Sequence, residues 1–203
     1  MSKPFNPSAE KNKLAIFQSL LPIFGSASSV LEIGSGTGQH AVFFSENTPD
    51  CIWQCSEISS NMDILQQGVI GCDSPNFKTP IVLDVSSNNW NLDQVDVVFT
   101  SNTAHFMPWA SVLKMLSGVF QTLKVGGFFC LYGPFHYQNK IASEGDCHLD
   151  RWLKSQGKGL GIRSFEKLIV SAANKHLVHR HDFEMPANNH LLVFQKIIAA
   201  VAP

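Results

Sequence analysis

Short apolar runs alternate along this chain with stretches whose apolar residues recur every three or four positions, a pattern that predicts strands and helices in turn. After Pro7 and Ser8, the latter a candidate helix cap, Leu14, Phe17, Leu20, Leu21 and Phe24 form the first helical stripe, which Gly25 ends. Residues 29–33 read as the first strand, 39–46 as a helix after a glycine-rich turn, and 52–56 as the second strand. Ser60 with Asp63 resembles a capping box opening a short helix, and 80–83 read as a third strand with Asp84 at its carboxyl end.

Residues 95–100 are the fourth strand. Pro108 then opens a helix with an apolar face of Trp109, Val112, Leu113, Leu116, Phe120 and Leu123, and Gly126-Gly127 is expected to stop it before a fifth strand at 128–132. Within 138–161 only 149–154 suggests a helix, and a further helix is expected over 164–175. The last strands, 177–184 and 190–195, flank Met185-Pro186-Ala187-Asn188-Asn189, too short a link for a helical crossover. The expected class is α/β: a mostly parallel seven-stranded sheet whose last strand is antiparallel, with helices on both faces.

A length of 203 residues suits one domain, 1–203, in which 1–28 would cover the site and 136–163 would be an insertion. With 44% hydrophobic and 15% charged residues, extensive disorder is excluded. A net charge of -1 with the charges dispersed provides no field to hold a phosphate backbone, so no nucleic acid is expected as partner. Cys51, Cys55, Cys72, Cys130 and Cys147 lack C-x-x-C spacing and read as reduced thiols. There is no apolar signal core at the start and no run of the ~18 apolar residues that a membrane helix requires, so a cytoplasmic protein without membrane contact is expected.

Glycines 34, 36 and 38 form G-x-G-x-G between a strand and a helix, where missing Cβ atoms let the backbone approach a ligand. A dinucleotide loop would more often read G-x-G-x-x-G, whose last glycine is absent here because Gln39 follows Gly38 directly. Glu32, two residues before Gly34, would repel a pyrophosphate but attract the ammonium of an amino-acid cofactor. Glu57, 19 residues beyond Gly38, is placed to accept from ribose hydroxyls, and Asp84 to meet an adenine amino group. Taken singly, the glycines also suit a plain tight turn and each acid an ordinary loop.

Val30-Leu31-Glu32-Ile33-Gly34-Ser35-Gly36-Thr37-Gly38, the strand-end Glu57, Leu83-Asp84-Val85 and Leu123-Lys124-Val125-Gly126-Gly127 resemble class I S-adenosylmethionine-dependent methyltransferase motifs. The chain also resembles, over nearly its full length, the DUF938 subfamily, related to methyltransferase-like protein 26. The segments carrying this are Glu10-Lys11-Asn12-Lys13, Gly36-Thr37-Gly38-Gln39-His40-Ala41, Tyr132-Gly133-Pro134-Phe135 and Met185-Pro186-Ala187-Asn188-Asn189. Lys11 stands where that subfamily usually has arginine and thereby loses a bidentate fork, and Glu57 stands where it usually has aspartate.

The resemblance implies S-adenosylmethionine as cofactor, held by Glu32, Gly34, Ser35, Gly36, Gly38, Gln39, Glu57, Asp84, Val85 and Asn102, and a small-molecule methyl acceptor. Asn102-Thr103-Ala104-His105 is not the Asn-Pro-Pro-Tyr type used on amino groups of bases. His105 is a candidate general base, with strand capping as the alternative, and Tyr132 a candidate catalytic phenol. His40, biased neutral by the helix end, would orient Asn12 or the substrate, and Phe135 would shape the acceptor pocket or pack in the core.

Asn188 and Asn189 suit a turn, or could donate into the site. Among the eight histidines, His179 and His181 would share one strand face near His176, but no cysteine completes a metal site, so none is expected. Trp53, Trp90, Trp109 and Trp152 read as packing residues. A cofactor-binding protein without transfer activity and a nicotinamide-dependent oxidoreductase are the competing functions.

Overall fold

The computed structural model describes residues 3–138, 140 and 143–198. Residues 1, 2 and 199–203 of the expected domain, and 139, 141 and 142 of the expected insertion, lie outside the described residues. In chain order the elements are α1 Pro7–Phe24, β1 Ser29–Ile33, α2 Gln39–Asn47, β2 Ile52–Glu57, α3 Met62–Val69, β3 Phe77–Val82, β4 Val95–Ser101, α4 Trp109–Thr122, β5 Leu123–His136, α5 Glu144–Ser155, β6 Arg163–Ser164, α6 Phe165–Ala173, β7 Leu177–Met185 and β8 Asn189–Lys196.

The sheet runs β3-β2-β1-β4-β5-β8-β7, with β6 paired to the end of β5. It holds eight strands rather than seven, because β6 is a two-residue strand that no periodicity could reveal. β1 pairs in parallel with both β2 and β4, so the chain order turns back between them and opens a crevice at their carboxyl ends. β8 is antiparallel to β5 and to β7, as the short link between the last strands required.

Strand pleating divides the core in two. Leu31, Ile33, Val98, Phe129, Leu131 and Phe194 face α4 and α6, while Val30, Trp53, Val97, Phe99, Leu191 and Val193 face α1, α2 and α3. Across α1 the buried face is Ala9, Asn12, Ile16, Leu20 and Phe24. Leu14 and Leu21 are exposed, contrary to the sequence stripe, because the helix turns Ile16 rather than Leu14 toward the sheet.

Several local expectations are corrected. The cap of α1 is Asn6, whose Oδ1 accepts from the Ser8 and Ala9 amides at 2.9 and 3.3 Å, whereas Ser8 lies inside the helix. No capping box opens α3: Asn61 is its N-cap and makes no side-chain cap bond. Helix α4 ends at Thr122 and β5 begins at Leu123, so Gly126-Gly127 lies within the strand, with Gly126 at φ +82°.

A bulge between His179 and His181 puts them on opposite faces of β7, His179 against Phe165 and Phe194 and His181 stacked on Phe183. Trp152 is not a packing residue, since it is 53% exposed. Among the described residues, no helix is long and apolar enough to cross a membrane.

Candidate functional site

A cavity of about 450 Å³ lies at the carboxyl ends of β1 to β4. Gly34, Ser35, Gly36 and Thr37 after β1 form its floor, and Glu57, Ile58 and Asn61 after β2 form one wall. Leu83 to Ser86 after β3 and Ser101 to Thr103 after β4 extend it. Asn6 and Ala9 from the start of α1, with His40 from α2, close one side.

The glycine loop is held from both flanks. Ser35 donates its amide to the Ser56 carbonyl at 2.9 Å and accepts the Ser56 amide on its hydroxyl at 3.2 Å, while Thr100 Oγ1 donates to the Ile33 carbonyl at 2.8 Å. Gly34 has φ +67°, and a Cβ there would lie 2.6 Å from Thr103 Cγ2. At Gly36, with φ +57°, a Cβ would meet nothing within 4 Å: the loop presents bare backbone to open space.

Glu57 is anchored to that loop. Its Oε2 accepts from the Gly36 amide and its Oε1 from the Ile58 amide, each at 2.9 Å, so one carboxylate spans the ends of β1 and β2. Each oxygen keeps a free lone pair for a hydroxyl donor. Asp84 is exposed, its Oδ1 capping the Ser86 amide at 2.8 Å, and Val85 beside it is buried. Asn102 sits at φ +56° with its amide donating to the Tyr132 carbonyl at 2.9 Å. Ser101 Oγ is buried with no hydrogen-bond partner among the described residues.

The structure brings Gly34, Ser35, Gly36, Glu57, Asp84, Val85 and Asn102 together, as the sequence reading expected, and it turns others away. Glu32 does not line the cavity: strand alternation directs it into the α1–α2–α3 side, where Trp53 Nε1–H donates to its Oε2 at 3.0 Å. Burial pushes its pKa up to about 8, with the Trp53 hydrogen bond opposing and the Glu57 charge reinforcing, so at neutral pH the carboxyl is mainly protonated. It is not the anion that an ammonium would seek.

Gly38 is off the cavity too, as the N-cap of α2, and its missing Cβ makes room for Val69 of α3, which a Cβ would approach to 2.5 Å. Gln39 turns outward and ties down the N-terminal segment. Its Oε1 accepts from the Asn6 amide at 2.6 Å and from Thr37 Oγ1 at 2.9 Å, and its Nε2 donates to Glu10 at 2.9 Å.

The catalytic candidates are corrected as well. His105 is buried in a single helical turn over Ala104–Phe106, its ring against Phe106, and desolvation followed by the Arg163 charge lowers its pKa to about 4. It does not face the cavity. Tyr132 packs among Phe99, Trp53 and Val193, and burial raises its phenol pKa. Phe135 pairs with Arg163 of β6 and packs in the α4–α6 core, not in an acceptor pocket. Asn188 has φ +56°, consistent with the turn reading, and Asn189 Nδ2 donates back to the Pro186 and Ala187 carbonyls.

His40 reaches the cavity. Its Nε2 lies 2.7 Å from Asn12 Oδ1, an atom that only accepts, so the proton resides on Nε2 and Nδ1 carries the lone pair. Desolvation, with a smaller contribution from Lys13, lowers its pKa to about 4. The imidazole is neutral, as expected from sequence, but burial is the main cause rather than the helix end. Asn12 itself is buried behind His40.

Sequence reasoning missed Asn6, Thr37, Phe106, Met107 and Ser111 in the cavity wall. Phe106-Met107 beside Pro108 was the one signal available, two apolar residues in a connection between a strand and a helix.

A model of the family described as "Protein of unknown function (DUF938)" matches residues 3–196. Among solved structures, the chain is similar to an O-methyltransferase family protein from Burkholderia thailandensis, with a TM-score of 0.82 at 12% identity, covering 94% of this chain and 56% of that one. It is also similar to PigF with SAH (TM-score 0.78, 16% identity, 94% and 56%) and to human N-acetylserotonin methyltransferase in complex with SAM (TM-score 0.77, 12% identity, 94% and 53%). The chain thus spans little more than half the length of each, and at such identities the likeness is one of fold.

Proposed function

The chain belongs to the DUF938 family, and from that premise we propose that it is an S-adenosylmethionine-dependent methyltransferase acting on a small molecule. The observation that carries this reading is the Glu57 carboxylate bonded to the amide of Gly36, itself a glycine with open space above it, at the sheet's turning point. The three solved neighbours support it, because they are methyltransferases by name or carry SAM or SAH.

The residues present fit such a cofactor. The cavity wall contains two carboxylates, Glu57 and Asp84, and among the described residues no lysine or arginine, which suits a cationic sulfonium and disfavours a pyrophosphate. Glu57 would accept from the ribose hydroxyls, Asp84 and Val85 would receive the adenine, and Gly34, Ser35 and Asn102 would hold the amino-acid end. The unpartnered Ser101 hydroxyl supplies a further donor at that end. When bound, the cofactor would supply an electrophilic methyl group for a lone pair of the acceptor. The protein's part is positioning and exclusion of water. His40, the neutral imidazole on the cavity wall, would help to orient the acceptor.

Isothermal titration with S-adenosylhomocysteine tests the site. Binding is expected, and Glu57→Ala is expected to weaken it by about 1 to 3 kcal/mol through lost charge-assisted hydrogen bonds. No binding at millimolar ligand, or unchanged affinity in the variant, overturns the reading. A second reading, cofactor binding without transfer, is favoured by the burial of His105 and Tyr132 away from the cavity. Labelled methyl donor incubated with a metabolite extract separates the two, since only a transferase leaves label in an acceptor.

A further inference from the structure

Beyond the cofactor end, the cavity wall is completed by Phe106, Met107 and Pro108, in the connection from β4 to α4. Phe106 is 50% exposed and stands edge-on to Trp152 of α5, itself 53% exposed, with ring centroids 6.4 Å apart at 77°. Single exposed aromatics are ordinary, but two in contact where one lines a cavity form a continuous apolar surface leading into it.

This surface is held rigidly. The buried Arg163 guanidinium donates to the Ala104 carbonyl at 2.8 Å and also to the Met107 and Gly159 carbonyls, and the Gly161 amide donates to the His105 carbonyl at 3.1 Å. On the α5 side, Asp150 Oδ1 accepts the Ile162 amide at 2.9 Å and Oδ2 pairs with Lys154 at 2.5 Å. The strand-end turn that carries Phe106 and the helix that carries Trp152 are therefore fastened to the same short segment, 159–163.

We propose that Phe106 and Trp152 form the shelf on which the methyl acceptor lies, and that the acceptor is an uncharged molecule with a flat aromatic face. The inference rests on the methyltransferase reading of the neighbouring cavity. Two rings meeting edge to face offer planar contact to a third ring. The wall has no lysine or arginine among the described residues, so an anionic acceptor would find only Glu57 and Asp84. A protonated amine has no lone pair to take a methyl group, so the accepting atom is itself uncharged.

The test follows the indole N–H resonance of Trp152, identified by its loss in Trp152→Phe, in nitrogen-labelled full-length protein, with and without saturating S-adenosylhomocysteine. Quinoline, neutral and planar, is expected to shift this resonance saturably. Naphthoate and decalol, anionic and non-planar respectively, are expected to bind at least about tenfold more weakly. Phe106→Leu, which keeps an apolar residue at an exposed position, is expected to lower quinoline affinity about tenfold, and Phe106→Tyr to restore it.

A Trp152 resonance that quinoline leaves in place, equal binding of the three probes, or a resonance that moves with protein concentration alone overturns the shelf. If S-adenosylhomocysteine binds but quinoline does not reach Trp152, the shelf fails while the cofactor site stands. If quinoline binds there in a protein that takes up no S-adenosylhomocysteine, the shelf stands and the methyltransferase reading fails.

Discussion

Replacing Glu32 by glutamine exchanges a buried carboxyl for a neutral group of the same shape that can still accept from Trp53 Nε1. The folded pKa near 8 lies above the ordinary value of 4.5, so the native protein keeps a proton that the unfolded chain has released. The resulting stabilisation is complete below the ordinary carboxylate range and is lost as pH rises toward about 8. Each pH unit in that window changes the stability difference by about 1.4 kcal/mol, or about 2 kcal/mol between roughly pH 5.5 and 7.

His40 and His105 act in the opposite sense. Their folded values near 4 lie below the ordinary 6.5, so their contribution is present above pH 6.5 and lost as pH falls toward 4. These slopes overlap that of Glu32 and mask it in the raw curve. The quantity to measure is therefore the difference between wild type and Glu32→Gln, from urea unfolding at a series of pH values, in which the histidines cancel. The wild type is expected to lose stability relative to the variant by about 2 kcal/mol across that interval. A difference independent of pH would mean that Glu32 is ionised in the folded protein and would refute the reasoning. S-adenosylhomocysteine affinity is expected to survive the change, since Glu32 is not on the cavity wall.

Two glycine substitutions should separate folding from binding. Gly38→Ala, at φ +75° with its Cβ 2.5 Å from Val69 Cγ1, should cost about 2 to 4 kcal/mol in denaturant unfolding while the folded fraction binds S-adenosylhomocysteine normally. Gly36→Val should cost only about 1 to 2 kcal/mol yet abolish binding, because its side chain enters the open cavity; the reverse pattern would contradict the assigned roles. Arg163→Met leaves the Ala104, Met107 and Gly159 carbonyls without their donor and should lower stability by about 3 kcal/mol, seen as a Tm loss of about 10 °C. An unchanged Tm would show that this segment is held by other means.

Apart from the two-residue β6, the sequence alone determined the order of the strands, because the longer ones contain short apolar runs between helices with a three-four stripe, and these periods are local. It also placed Gly34, Gly36, Glu57 and Asp84 at strand ends, since a loop motif and the ends of apolar runs are visible in one dimension. Tertiary structure alone decided which way those groups face. Glu32 is two residues from the loop in sequence but on the opposite side of a pleated strand, and once buried against Trp53 it is mainly protonated at neutral pH. His105, in the turn after β4, and Tyr132, within β5, are buried away from the cavity, and Gln39 serves the N-terminal segment rather than the cavity. The proposed shelf joins Phe106 to Trp152, 46 residues apart, whose elements Arg163 and Asp150 fasten to one segment. Such pairings depend on three-dimensional proximity and on desolvation, and neither has a period that the sequence can display.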